Sequence, residues 1–327
     1  DRGSIAYKSL EFPIRGFLDK PFSIKALIQI IESLKEESTK KTISNKNLTQ
    51  LMNLLFQHKY YIQNKKILEK IQHVLDYYLN YQGTANLLII GPPGTGKSHL
   101  ASVIHKILNS QKLTNLTMID SGLLSSDQNS IRSDLFGHVK GAFTGAFSDK
   151  KGYLDTDGTI VFENIQYLPK TAQFALLETL STRTFSPLGR TDKIIRLNAR
   201  IFFTLNQEPD RLIQDGVLAR DFYDRLKAGL IIELPPLYER KDDVEAFAKN
   251  FLAEFSLEIE YNSLKFLSDF YPWDSIRSLK SVLENQVAWF CKVNKINFVT
   301  KKILLQIFAK NEKVFNNLMN MQRQSGL

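Results

Sequence analysis

Five short, mainly apolar stretches punctuate the chain, at residues 85–90, 116–120, 159–163, 200–205 and 230–233. The first reads ANLLII. Runs this short, without strict polar alternation, suit strands covered on both faces. Stretches with helical spacing separate them, and alternation of buried strands with helices predicts an α/β fold with a parallel sheet. From about 240 to 320 the pattern turns wholly helical, which predicts a small α-helical second lobe. Upstream, residues 50–81 read as helical with one break. The segment 17–38 reads as strand, Lys-Pro turn and amphipathic helix, with Ile24, Leu27, Ile28, Ile31 and Leu34 at helical spacing. A polar, aperiodic linker follows over 37–47. There is no internal repeat or low-complexity tract.

Composition narrows the classes. Of 327 residues, 43% are apolar, enough for a sizeable core. The single Cys291 rules out a disulfide framework and a cysteine metal cluster. No apolar run reaches the length of a membrane span, and no signal peptide opens the sequence, so the expectation is a cytoplasmic protein without membrane contact. The net charge of +9 sits at the ends: residues 1–80 carry +5, residues 81–290 carry −2 and residues 291–327 carry +6. A basic tail attracts phosphate backbones, which predicts weak, sequence-independent DNA binding; a solvated lysine-rich helix is the plainer account.

The chemistry concentrates after the first strand. Gly91, Pro92, Pro93, Gly94, Thr95, Gly96, Lys97 and Ser98 spell GPPGTGKS, followed by His99 and a helical stretch. Strand, glycine-rich turn and helix in that order form the context of a phosphate-binding P-loop, in which backbone N–H groups and the helix N-terminus cradle an anion. Lys97 is expected to reach the β- and γ-phosphates of ATP, and Ser98 to ligate Mg²⁺. A P-loop enzyme also needs a carboxylate at the end of a neighbouring strand, and TIVFEN supplies Glu163 there. The next residue, Asn164, stands where a water-polarising carboxylate is usual; an amide accepts no proton, and as a plain structural residue it would cap the following turn.

The stretch SDLFGHVKGAFTGAFSDKKGYLDTDGTIVFENI (133–165) resembles the AAA+ domain of bacterial enhancer-binding proteins, the NtrC-type activators of sigma-54 RNA polymerase. Gly141, Ala142, Phe143, Thr144, Gly145 and Ala146 match that family's signature loop, which touches sigma-54; two glycine hinges flanking an exposed Phe143 and the Thr144 hydroxyl suit such a contact, because an apolar side chain on a loop tip is costly unless a partner buries it. The resemblance implies a five-stranded AAA+ sheet with a helical lid, nucleotide bound with Mg²⁺ on Ser98 and Glu163, and a ring, hexameric in the family's usual form. It places Asn206 near the γ-phosphate, Arg225 as an arginine finger acting on a neighbouring subunit, and Arg277 as a lid sensor. The second finger position holds Ala219, with Arg220 one step away. One residue and the usual glycine are missing beside Arg277. Asp120 falls where the family has an asparagine that restrains the catalytic glutamate, so amide and carboxylate look exchanged between Asp120 and Asn164. An Asp120–Asn164 hydrogen bond with Asp120 as substitute base, and drift after lost activity, both account for the exchange.

The ends imply the organisation. DRGSIAYKSLEFPIRGFLDKPF is similar to the last part of a receiver domain of NtrX-type regulators, with Lys20-Pro21 as its Lys-Pro pair. The domains are then a partial receiver-like segment over 1–36, a linker and helix over 37–59, an AAA+ α/β subdomain over 60–236, and a lid with basic helices over 237–327. No helix-turn-helix is recognisable in 291–327. Two functions remain open: an ATP-hydrolysing regulator of two-component type acting on sigma-54 polymerase, or a degenerate relative that binds ATP and assembles without hydrolysing or activating. A plain scaffold with a vestigial P-loop is a third.

Overall fold

The computed structural model describes residues 45–81, 83–109, 114–190, 192–270 and 273–309. The chain divides into two compact units, residues 1–49 and 50–327, and the second holds the sheet, the lid and the P-loop. The receiver-like segment and the end of the basic tail lie outside the described residues.

The element order is α1 (Asn45–Gln57), α2 (Lys65–Asn80), β1 (Leu87–Ile90), α3 (Lys97–Leu108), β2 (Leu116–Asp120), α4 (Gln128–Phe136), β3 (Gly137–His138), β4 (Lys150–Lys151), β5 (Thr159–Glu163), α5 (Lys170–Thr182), β6 (Thr184–Phe185), β7 (Ile195–Arg196), β8 (Arg200–Leu205), α6 (Pro209–Gln214), α7 (Arg220–Lys227), β9 (Leu230–Glu233), α8 (Lys241–Ala253), β10 (Glu258–Ile259), α9 (Tyr261–Phe270), α10 (Ile276–Val282), α11 (Trp289–Val293), β11 (Phe298–Val299) and α12 (Lys301–Phe308). The linker expected over 37–47 gives way to α1 at Asn45, and the break expected within 50–81 falls between α1 and α2.

All five expected strands form one sheet in the order β2-β5-β8-β1-β9, every pair parallel. Alternate residues explain the apolar runs. Leu88, Ile160, Phe162, Ile201 and Phe203 join the core that includes α4, α5 and α7. Phe202 faces the other way and meets Tyr78 of α2, ring centroids 5.9 Å apart. The central strands β5, β8 and β1 are buried on both faces and have no reason to alternate, whereas the edge strands β2 and β9 are covered on one face only, with Met118, Asp120 and Glu233 exposed.

Residues 241–308 build the lid, whose core includes Phe247, Leu252, Leu267, Trp273, Leu283 and Leu304. A π-helical turn, Leu283–Ala288, joins α10 to α11. Two antiparallel hairpins leave the sheet subdomain: β3 with β4, carrying 139–149, and β6 with β7, carrying 186–194. The register aligns Asp120 with Glu163 and Ile90 with Leu205. The P-loop, Glu163, Asn206 and Asp120 therefore share the carboxyl edge of the sheet, where open parallel sheets bind ligands.

Candidate functional site

The P-loop leaves β1 at Gly91, whose N–H bonds Leu205 O at 3.0 Å. Gly94 and Gly96 have φ of +75° and +97°, conformations that favour glycine. A Cβ on Gly94 would also stand 2.8 Å from the Ser275 side chain. These turns carry the chain into α3, which opens with Lys97 and Ser98. Lys97 Nζ donates to Gly91 O at 2.6 Å and Pro92 O at 2.8 Å. Burial, and then the charge of Arg277, lower its pKa to about 8. Ser98 Oγ donates to Glu163 Oε1 across the space between α3 and β5. His99 lies with Nε2 3.2 Å from His58 O and its ring edge-on to Tyr60; burial lowers its pKa.

Asn164 occupies the left-handed region, φ 56° and ψ 52°, one that asparagine tolerates better than most side chains. Its backbone N–H bonds Thr204 Oγ1 at 3.0 Å. Its side chain does not cap the turn that follows. Instead Asn206 Nδ2 donates to Asn164 Oδ1 at 2.6 Å, tying the ends of β5 and β8. Asp120, beside Glu163 in register, turns away: its Oδ1 accepts the Gly122 N–H at 3.1 Å. Among the described residues the Asn164 amide thus bonds Asn206 and not Asp120, because the two-residue Asx turn captures the shorter carboxylate first.

These groups face a cleft of about 820 Å³ lined by Gly94, Gly96, Lys97, Ser98, His99, Glu163, Asn164, Asn206 and Arg277. The structure brings those expected residues together, Arg277 included despite its shortened loop. Arg225 is elsewhere: its Nη2 donates to Leu180 O at 2.7 Å at the end of α5, outside this chain's own cleft. Sequence reasoning missed the other end of the cleft, where Lys59, Tyr60, Tyr61, Phe247, Phe251 and Glu254 meet. Only the aromatic pair in HKYYIQ hinted at it. Aromatic walls at one end and amide, ammonium and hydroxyl donors at the other suit a ligand with a flat base and a polyanionic tail.

The loop 141–146 stands apart, between β3 and β4. Gly141 and Gly145 take φ of +80° and +101°, each with open space where a side chain would point. The Gly141 N–H bonds Ala146 O at 2.8 Å, closing the tip. Thr144 is exposed. Phe143, expected to be exposed, is half-buried, its ring edge-on to His138 at 5.0 Å. The bare aromatic is Phe147, 86% exposed. The other hairpin supports the loop: the Val139 N–H bonds Leu188 O at 3.1 Å, and Gly189 lies so near Ala142 that a Cβ there would be 2.9 Å from it.

Comparison with known proteins agrees with this architecture. A family model described as the sigma-54 interaction domain matches residues 61–232, just over half of the chain. Nitrogen fixation protein AnfA of Azotobacter vinelandii is 30% identical over 270 residues, covering 80% of this chain and 48% of its own length. Regulatory protein AtoC of Escherichia coli (strain K12) is 29% identical over 292 residues, covering 86% and 61%. The chain thus spans roughly half to three-fifths of the curated relatives it matches. Among solved structures, NtrX from Brucella abortus in complex with ATP superposes with a TM-score of 0.56 at 18% identity, covering 91% of this chain and 67% of that one. The Thermotoga maritima RuvB P216G mutant gives 0.55 at 17% identity, covering 77% and 71%. At such identities the solved structures establish the AAA+ fold alone. The match of the family model across the P-loop, the 141–146 loop and the Asn206 strand establishes more: this chain belongs to the sigma-54 interaction domain family of NtrC-type sigma-54 activators.

Proposed function

We propose that this chain is the nucleotide-holding, ring-forming part of a sigma-54-directed regulator, which binds ATP with Mg²⁺ and hydrolyses it slowly. The observation that carries the reading is the convergence of Lys97, the Ser98–Glu163 pair, Asn206 and Arg277 on one cleft. The donor set fits the group. Lys97 already holds its ammonium among carbonyl oxygens, where phosphate oxygens would be better partners. Ser98 and Glu163 bring a hydroxyl and a carboxylate together, the hard oxygen ligands that Mg²⁺ prefers. Held by Ser98 and Glu163, Mg²⁺ would neutralise phosphate charge.

The remaining roles follow the resemblance to the family. Asn206 and Arg277 orient the terminal phosphate. Arg225 acts on the neighbouring subunit's nucleotide in a ring, hexameric if it follows the family. The 141–146 loop offers Thr144 and the adjoining aromatics to sigma-54. The partial receiver and lid boundaries at 1–36 and 237–327 remain the organisation we propose around it.

Asn164 favours a holding over a turnover role. An amide bonded to Asn206 cannot take a proton from water, and loss of a general base slows such steps by about 10²–10⁴-fold. Calorimetry with ATP, paired with a phosphate-release assay, tests the reading. Expected are saturable ATP binding, its loss in Lys97→Ala, and weak phosphate release. No ATP binding by the intact chain refutes the holding role, and rapid release refutes the slow one.

A further inference from the structure

Arg240 and Asp243 have side chains with no accessible surface, at the root of the lid. Arg240 Nη1 donates to Asp243 Oδ2 at 3.2 Å. The other carboxylate oxygen, Oδ1, accepts two backbone N–H groups, from Gln63 at 2.6 Å and Asn64 at 2.8 Å. Those residues end the segment that supplies Tyr60 and Tyr61 to the cleft and lead into α2. On the other side Arg240 Nη2 reaches Thr95 O, the P-loop carbonyl, at 3.5 Å. Thr95 is itself fully buried and bonded through Oγ1 to Pro92 O. Tyr60 packs between: its ring lies where a Cβ on Gly96 would meet it at 3.5 Å.

One ion pair therefore touches three segments far apart in sequence: the aromatic end of the cleft, the P-loop and the lid root. Isolated buried ion pairs are weak sources of stability, because desolvation offsets attraction. Such a pair is better suited to fixing geometry. Neither side chain lines the cleft.

We infer that the Arg240–Asp243 pair is a positioning device, setting nucleotide affinity at a distance by holding the P-loop and the 60–64 segment in register with the lid. This rests on the nucleotide reading of the cleft. Both contacts are on backbone groups, so the pair acts equally on ATP and ADP, unlike residues that face the terminal phosphate.

Arg240→Met tests it, because methionine fills similar space while Asp243 keeps its two N–H partners. Expected is a loss of about tenfold or more in affinity for ATP and ADP alike, with the nucleotide-free variant still folded by circular dichroism. Arg240→Lys, which keeps the charge without the fork, should lose affinity as well. A folded variant with wild-type affinity for both nucleotides overturns the inference, and a loss confined to ATP overturns it too. Wild-type protein gives a measurement independent of variant folding. The Gln63 and Asn64 amides should gain hydrogen-exchange protection on ATP binding together with those of 94–96. Protection confined to the P-loop overturns the inference. Failure of the wild-type chain to bind either nucleotide would instead sink the underlying reading of the cleft.

Discussion

Lys97 attracts phosphate only while it carries its proton. Its pKa of about 8 means that the free site sheds that proton above pH 8, and binding must then draw it back. ATP affinity is expected to be flat up to about pH 7.5 and to fall by up to about tenfold per unit above pH 8. Calorimetry at stepped pH reads this directly, and a flat profile to pH 9.5 would count against it. For folding the sign reverses. The unfolded chain keeps this proton up to the ordinary 10.5 and the folded chain does not, so this residue lets the nucleotide-free fold gain stability between about pH 8 and 10.5. The second residue-scale prediction separates the two carboxylate candidates. Asp120 is engaged by the Gly122 N–H, so Asp120→Asn should leave phosphate release within about twofold. Asn164→Glu should raise release by part of the roughly 10²–10⁴-fold deficit. The gain stays partial because glutamate is less at ease at φ 56° and loses the bond from Asn206. A collapse of turnover in Asp120→Asn would make Asp120 the base after all.

At the scale of elements, the two hairpins give the clearest prediction. Gly189 has φ of +80°, and a Cβ there would crowd both Ala142 and Val139. Gly189→Ala should push the supporting hairpin off the 141–146 loop and weaken capture of sigma-54 by ring trapped with a nucleotide analogue. Thr144→Ala should weaken capture without moving the hairpins, because Thr144 is exposed. Neither should alter ATP affinity; unchanged capture in both would take the loop out of the mechanism. Such contacts mark the limit of what the sequence discloses. The five strands were readable because each is a short, mainly apolar stretch between helices, and the P-loop because strand, glycines and lysine occur together. Phe143 was misjudged because its exposure depends on His138, brought close by an antiparallel pairing of only two residues per strand. The aromatic end of the cleft stayed hidden because Tyr61 and Phe247 are 186 positions apart in sequence, yet their ring centroids lie 5.9 Å apart. Side-chain direction was equally opaque: a mutual Asp120–Asn164 bond was one of two accounts of their exchange, yet each side chain found another partner.

For the whole molecule the open question is what Arg225 serves. Its guanidinium is held by the Leu180 carbonyl at the end of α5, and it does not line the cleft of its own chain. No ion pair involves it among the described residues. A cation placed on carbonyl groups without a carboxylate partner remains available to an external anion. If chains assemble in a ring, that anion is the terminal phosphate of the next subunit. Subunit mixing tests the idea without relying on turnover. Arg225→Ala has an intact cleft but offers no finger; Lys97→Ala offers the finger but holds no nucleotide. Each alone should fail to retain ADP with aluminium fluoride, a mimic of the phosphoryl transition state, the first for want of Arg225 and the second for want of Lys97. Mixed in equal amounts, the two should recover roughly a quarter of wild-type retention, because in random rings about one interface in four joins an intact cleft to an intact finger. Recovery near that level would assign Arg225 to the neighbour's site. Full retention by Arg225→Ala alone would show that the finger is idle, and no recovery in a mixture proven to co-assemble would place Arg225 in a structural role at the end of α5.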